Sequence, residues 1–324
     1  MGWQLDVLVD EAMLRAQFAA DVAHGLTTRP RSLSPKYFYD AAGSALFEEI
    51  TRLPEYYLTR AELALLRAHS PELMAELRPD EVVELGPGPP TKVAILLDTD
   101  AGQTVGRYVP FDVNADAIDA IARELVRGHP RLEVHGLVGD FERHLRHVPP
   151  LVGRRLVALL GSTIGNLEPG PRRTLLSGVR GLLGTDGRFL LGIDLVKDRA
   201  RLEAAYDDAA GVTAEFNRNV LRVVNRGLDA DFEPEAFRHH AFYNASAARI
   251  EMHLIPERRQ TVHVRAIGLE VTLEPDETIW TEASYKFTRA SVETMFGEAG
   301  LRLERWVTGP DEAFALALAG PGRP

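Results

Sequence analysis

A chain of 324 residues with 45% hydrophobic and 26% charged side chains, 27 glycines and 20 prolines has the composition of one large or two ordinary folded domains, which excludes disordered, collagen-like and low-complexity classes. With 37 Lys plus Arg against 47 Asp plus Glu, the net charge of −10 repels phosphate backbones and anionic lipid, so a small-molecule ligand is expected rather than nucleic acid or a membrane surface. The absence of cysteine removes disulfides, thiolate nucleophiles and Cys-ligated zinc or iron–sulfur centres.

The opening MGWQLDVLVDEAML lacks the basic flank, apolar block and cleavage site of a secretory signal, and no apolar run approaches the ~20 residues of a membrane span, so a cytoplasmic protein is expected. Up to about Thr59 the chain mixes helical periodicity with the aromatic, turn-rich segment SPKYFYDAAGSALFEEITRLPEYYLTR. From Glu62 to about Leu77 the apolar residues recur at helical spacing, and Pro79 stops the helix. EVVEL then reads as a strand running into Gly86-Pro87-Gly88-Pro89-Pro90 and an apolar helix, VAILLD. RYVPFDV, LEVHGLVGDF, RRLVALLGS and GRFLLGIDLV read as further strands, with helices at ADAIDAIARELVRG and PRRTLLSGVRGLL. Strands alternating with helices predict βαβ units, hence an α/β fold with a doubly wound parallel sheet whose ligands bind beyond the carboxyl ends of the strands.

After Lys197 the alternation stops. A helical segment, YDDAAGVTAEFNRNVLRVVN, leads into the strand-like stretches RIEMHLI, QTVHVRAIGLEVTL and TIWTEASYKF, which read as antiparallel because no helices separate them. ASVETMFGEAG predicts a helix ending at Gly300, followed by a β-hairpin of LRLERWVT and EAFALALA. This places a nucleotide-type domain at 60–196 plus 287–324 and a second, discontinuous α+β domain at 1–59 plus 197–286.

The sharpest local signal is Glu84-Leu85-Gly86-Pro87-Gly88 at a strand end, where glycines let backbone approach a bound cofactor and the turn feeds a helix N-terminus. A nicotinamide fingerprint needs a third glycine where Thr91 stands, whereas an acid just before the glycines fits an S-adenosylmethionine (SAM) site. Asp112 closes the second strand, where a carboxylate can accept both ribose hydroxyls, and Asp140-Phe141 closes the third, suited to the adenine amino group and ring edge. Taken alone, these two read as a helix cap and a core aromatic. Lys92, early in the next helix, opposes the helix dipole unless it meets an anion such as the cofactor carboxylate. Asn166, in GSTIGNL after the fourth strand, can offer its amide to a substrate carboxylate or simply satisfy a turn. His144 and His147 lie three apart and His239-His240 are adjacent, without a metal-ligand framework, so no metal is expected.

The segments KYFYDAAGSALFEEITRLPEYYLTR, VELGPG, PFDVN, GDFE, LGSTIGNL, LVKD, YDDAAGVTAEFNRNVL and TEASYKF, in this order along nearly the whole chain, resemble the L-histidine Nα-methyltransferases of ergothioneine biosynthesis. The resemblance implies a Rossmann-like SAM-dependent methyltransferase sheet with a second, substrate-binding domain, and three methyl transfers to the α-amine of L-histidine, giving hercynine and S-adenosyl-L-homocysteine without a metal. It implies cofactor contacts at Gly86, Lys92, Asp112, Asp140 and Phe141. The histidine site is implied at Tyr56, Asn166, Tyr206, Met252, Glu282, Ala283 and Ser284, with Tyr39 and Tyr56 as the residues at the reacting amine. Within it, Asn166 and Tyr206 are implied to hold the substrate carboxylate, and Glu282 and Ser284 the two imidazole nitrogens.

The residue types suit in-line displacement at a sulfonium methyl, in which the protein mainly aligns nucleophile, methyl and sulfur and needs no strong base. An α-N-methyltransferase for another aromatic amino acid such as tryptophan shares every feature except the polar pair in TEASYKF. A nucleoside-binding module without turnover would not need the acceptor residues, and a nicotinamide dehydrogenase is opposed by Thr91. The chain is expected to act as a monomer.

Overall fold

The computed structural model describes residues 2–322. Backbone contacts divide the chain into two units, each described by itself: one of the residues up to Val9, Leu58–Val196 and those from Phe287 on, the other of Asp10–Tyr57 and Lys197–Lys286.

The first unit is built on an eight-stranded sheet ordered Trp3–Val7, Glu133–Val138, Arg107–Asp112, Glu81–Leu85, Arg155–Leu159, Arg188–Asp194, Phe314–Pro321, Leu301–Thr308. The first six strands are parallel, and the C-terminal hairpin adds the last two antiparallel. All five residues of Glu81–Leu85 and of Arg155–Leu159 are buried, as expected of strands covered on both faces. From Glu81–Leu85 the chain builds outward in one direction to Arg107–Asp112 and Glu133–Val138, then returns to the other side at Arg155–Leu159. Such a reversal opens a crevice at the carboxyl ends of the two strands flanking it. The helix Ala115–Gly128 shows how local sequence holds this frame: Asn114 Oδ1 accepts from Ala117 N at 3.1 Å, and Ile118, Ile121, Ala122 and Leu125 form its buried stripe.

The edge strand Trp3–Val7 departs from the sequence reading, which assigns residues 1–59 to the second domain. It pairs with Glu133–Val138 and lies in the sheet of the first unit. Five residues with exposed Gln4, Asp6 and Val7 give too little alternating signal to announce a strand, and its fit depends on distant Gly136, where a Cβ would stand 2.8 Å from Leu5 Cδ1.

The second unit has a four-stranded sheet ordered Arg31–Ser32, Ile279–Tyr285, Arg249–Pro256, Phe237–Asn244, mostly antiparallel, and a separate hairpin of Gln260–Val264 and Leu269–Leu273. The hairpin splits the single stretch read as QTVHVRAIGLEVTL, turning at Gly268 with φ +61°. Phe237–Asn244, too rich in His and Asn to announce a strand, forms the far edge. The helices Glu11–Thr27, Ala41–Ile50, Arg199–Ala204 and Val212–Leu228 complete the unit. Among the described residues no helix is long and apolar enough to cross a membrane.

At the amino ends of three adjacent strands, the buried Glu81 accepts from Arg107 Nε at 2.8 Å and from Arg155 Nε at 2.6 Å, while Arg155 also donates to the carbonyls of Pro149 and Leu182. The two arginines stand directly opposite Glu81 in the register. Glu81→Ala leaves buried Arg155 without its counter-ion and is expected to lower unfolding free energy by about 3–5 kcal/mol, read from urea denaturation. A loss under about 1 kcal/mol would show that the carbonyl acceptors and water alone satisfy the arginines.

Candidate functional site

On the first unit, the candidate residues gather around the strand-order reversal. Gly86 follows Glu81–Leu85 with φ +64°, a conformation that disfavours any side chain, and a Cβ there would approach Phe141 Cε1 at 3.4 Å. Phe141 in turn packs edge-on against Phe111, ring centroids 6.4 Å apart. Glu84, just before the turn, is buried beneath it and accepts from the Tyr108 hydroxyl at 2.6 Å, and burial pushes its carboxyl up to about 6. Asp112 ends the next strand, accepts from Asn114 N at 2.9 Å, and is likewise pushed up by burial to about 6. Asp140 caps the helix Phe141–His144, its Oδ1 accepting from Glu142 N at 2.9 Å, which leaves Oδ2 the freer oxygen, 3.7 Å from Arg143 Nε. The helix-cap reading of Asp140 is therefore real and still leaves an acceptor over.

Lys92 lies in the helix Thr91–Leu97 that follows the glycine turn, and its ammonium is 2.6 Å from Glu62 Oε2. The other oxygen of this fully buried Glu62 accepts from Gly161 N at 2.7 Å. Sequence reasoning misses Glu62, which sits in the helix Leu58–Leu77 where a charged residue reads as a solvated face. Its signal is distant: a Cβ at Gly192 would lie 2.0 Å from Glu62 Oε1. Past Gly161, Ser162 adopts φ +60° and its hydroxyl accepts from Asp194 N at 3.0 Å, fixing the start of the turn Thr163–Asn166. The Asn166 amide, half-buried, makes no hydrogen bond to the described residues, so it does not serve the turn.

On the second unit, the strand Ile279–Tyr285 places Glu282 opposite Met252 and Ser284 opposite Ile250 on one face. Ala283, between them, points its side chain to the other face, so only its backbone is offered beside Glu282 and Ser284. Glu282 is 8% exposed, its carboxylate makes no hydrogen bond to the described residues, and burial pushes it up to about 7 against the opposing pull of Lys286. Ser284 Oγ lies 2.8 Å from the Tyr206 hydroxyl, and Lys286 Nζ donates to both, at 2.9 and 2.8 Å. Lys286, also missed from sequence, is legible in hindsight as the next same-face position of TEASYKF after Ser284.

Tyr206 is held from behind: the Asn217 amide meets His239 Nδ1 at 2.8 Å, leaving Nε2–H to donate to the Tyr206 carbonyl at 2.8 Å. His239 is thus a buried structural histidine, and burial lowers its pKa. Tyr39 and Tyr56 flank Phe47 edge-on, at 5.5 and 6.0 Å, and Tyr56 also meets the Tyr206 ring at 6.3 Å. Asp40 fixes this aromatic group by capping the helix Ala41–Ile50 through Gly43 N while accepting from Asn219 at 2.7 Å. Among the described residues no group of three or more His, Cys, Asp or Glu is arranged to hold a metal ion.

A family model described as histidine-specific methyltransferase, SAM-dependent, matches residues 18–321. The histidine N-alpha-methyltransferase of Mycolicibacterium smegmatis is 50% identical over 301 residues, 92% of this chain and 93% of that protein. Ergothioneine biosynthesis protein 1 of Neurospora crassa is 30% identical over 85% of this chain and 33% of its own length. A 4-dimethylallyltryptophan N-methyltransferase of Claviceps fusiformis is 26% identical over 86% of this chain and 85% of its own length.

Burial of the Asp112 carboxyl makes folding stability depend on pH. Between its ordinary value of 3.8 and about 6 the folded chain holds a proton that the unfolded chain has released, so this group favours folding as pH falls through that window and opposes it above. Asp112→Asn is therefore expected to be more stable than the wild type at pH 7.5 by roughly 1–3 kcal/mol, the difference narrowing as pH falls to 4. Thermal melts across that range check it. A variant that melts lower at pH 7.5 would show that the backbone N–H bonds to the carboxylate outweigh its burial.

Proposed function

This chain belongs to the SAM-dependent, histidine-specific methyltransferase family, and we propose how its side chains divide the work of methylating the α-amine of histidine. It is a histidine Nα-methyltransferase of ergothioneine biosynthesis. The observation that carries the residue assignment is Glu282, a buried carboxylate without a hydrogen-bond partner among the described residues, two positions from the buried hydroxyl of Ser284 on one strand face. A neutral imidazole, with one N–H donor and one acceptor nitrogen, satisfies both.

The first unit fits SAM by the chemistry of its donors and acceptors. The Asp112 carboxylate accepts the two ribose hydroxyls, which compensates the burial that raises its pKa. Asp140 uses its freer oxygen for the adenine amine, Phe141 covers the ring edge, and Gly86 permits close approach of the backbone. Lys92 serves the amino-acid carboxylate, its ammonium aimed by Glu62. The sulfonium supplies an activated methyl electrophile, and the thioether product follows from its loss.

On the acceptor side, Asn166 and Tyr206 hold the carboxylate of histidine, Glu282 and Ser284 its ring, and Met252 with the Ala283 backbone lines the ring site. Tyr39 and Tyr56 meet the amine. Phenolic oxygens accept a hydrogen bond from an ammonium or amine without forming an ion pair, so successive methylations do not have to break one. The amine loses its proton to water before each transfer, the phenolic oxygens only accepting a hydrogen bond from it, and three methyl groups are added in succession.

Incubation with SAM and each amino acid, followed by mass spectrometry, is expected to add three methyl groups to the α-amine of histidine. Ring methylation, or a product that stops at one methyl, would overturn the orientation. The tryptophan-directed relative keeps a second reading in view, an aromatic amino acid other than histidine. Glu282→Ala separates them: it is expected to lower kcat/KM for histidine about ten- to hundredfold while tryptophan and phenylalanine, lacking the second ring nitrogen, lose far less. An equal loss for all three would show that Glu282 does not read the ring.

A further inference from the structure

We propose that Glu62 is a positioning residue through which the carboxylate of the bound cofactor tightens the binding of histidine. The inference rests on the reading that Lys92 takes the cofactor carboxylate and Asn166 the carboxylate of histidine.

Glu62 stands where the segments carrying those two residues are anchored. It is buried on the helix Leu58–Leu77, and its two oxygens serve different loops. Oε2 lies 2.6 Å from the Lys92 ammonium, while Oε1 accepts from Gly161 N at 2.7 Å. The loops also approach each other directly, since a Cβ on Gly161 would stand 3.0 Å from Lys92 Nζ. Gly192 makes room for the carboxylate: a Cβ there would meet Oε1 at 2.0 Å. A buried carboxylate is costly unless its partners stay in reach, so neither loop can move without the other.

Lys92 is only partly committed to this contact. Among the described residues its ammonium makes no aligned hydrogen bond, and the pairing with Oε2 is a matter of charge and distance. Its N–H groups therefore remain for a second carboxylate, and the side chain, 18% exposed, is open to one. The Gly161 turn is held at few points as well. Ser162 takes φ +60°, which side chains disfavour, and is kept there by Asp194 N, which donates to its hydroxyl at 3.0 Å. The Glu62 contact secures the residue before it, and Asn166 ends the same turn with its amide unclaimed by the described residues.

A carboxylate arriving at Lys92 holds the ammonium between two anions, so it no longer swings toward water and Glu62 keeps its place beside Gly161. The ordering of the turn is then complete before histidine binds, and the second ligand loses less entropy than it would alone. Positive coupling follows. It is reciprocal, because histidine must tighten the cofactor by the same factor. It belongs to the cofactor's carboxylate and not to its nucleoside.

The test is calorimetry on the full chain, with S-adenosyl-L-homocysteine in place of SAM so that no turnover occurs. This ligand is expected to lower the Kd of histidine by about fivefold or more, and histidine to lower its Kd equally. S-adenosyl-3-thiopropylamine, which lacks only the carboxylate, is expected to bind more weakly and to change the Kd of histidine by less than about twofold. Glu62→Gln keeps an oxygen for Gly161 N but turns an amide N–H toward the ammonium, and is expected to cut the coupling by S-adenosyl-L-homocysteine below about twofold. A glutamate that only supported the fold would weaken both ligands and leave the coupling intact. No coupling in the wild type, equal coupling by the two nucleosides, or wild-type coupling in folded Glu62→Gln would overturn the proposal. If Glu62→Gln does not fold, Glu62→Asp, one methylene too short to reach both partners, must lose the coupling instead, and the comparison of the two nucleosides on the wild type needs no variant. Equal affinity for the two nucleosides overturns the reading of Lys92 and this inference with it, whereas weaker but equally coupled binding of the thiopropylamine overturns this inference alone.

Discussion

The Glu62 carboxylate, with no solvent exposure, joins two loops that the strand order brings side by side: one oxygen meets Lys92 after the glycine turn, the other the Gly161 N–H after the next strand of the sheet. A buried charge of this kind costs several kcal/mol unless ammonium and N–H both reach it, so it constrains both partners at once. Lys92 cannot drift along its helix, and the Gly161 turn cannot lift, without stranding the carboxylate. Gly192 is bound to the same constraint, since no side chain fits beside Glu62 there. The same buried charge raises Glu84 further, so the acid under the glycine turn and the lysine beyond it share one electrostatic neighbourhood.

Three carboxyls, Glu84, Asp112 and Glu282, share a second property: burial raises each above its ordinary range. They differ in what compensates them. Glu84 has the Tyr108 hydroxyl and is satisfied within the fold. Asp112 has backbone N–H groups that cover only part of its accepting capacity, and Glu282 has only the distant pull of Lys286. A carboxylate compensated internally is architecture; one left short of donors is held ready for donors that arrive from outside. This difference supports the proposed ligand roles of Asp112 and Glu282 and leaves Glu84 to the scaffold, although all three lie in motif segments.

Legibility from the sequence follows the same line. That Gly86, Asp112, Asp140 and Phe141 stand at strand ends is legible because the feature is local: the acid, the turn and the cap sit within a few residues of each other, and periodicity locates the strand. That Glu282 and Ser284 share one face is legible through strand alternation, which turns Ala283 away. Glu62 is not legible, because its partners lie 30 and 99 residues further along the chain, and only the folded sheet joins them. Lys286 lay in plain view in TEASYKF, yet a lysine at a strand end reads as exposed until Tyr206, 80 residues earlier, is brought against it. The edge strand Trp3–Val7 is hard to read from sequence for the same reason, since its partner is formed by residues 133–138.

In the proposed site the ring end carries the polar specificity, and the chemistry of successive methylation gives the reason. Substrate, intermediates and product of successive methylation differ only at the amine, which begins as an ammonium able to donate three hydrogen bonds and ends as a quaternary cation that donates none. A site that recognised the amine by an ion pair or by counted hydrogen bonds would fit one of these species and oppose the others. Recognition that must persist through the series has to rest on atoms that do not change, the carboxylate and the ring. The residues sort accordingly. The buried carboxylate Glu282 and the charge-backed hydroxyls of Ser284 and Tyr206 are directional and rigidly held, whereas Tyr39 and Tyr56 around Phe47 present aromatic faces and phenolic oxygens whose attraction for a cation needs no particular number of N–H groups.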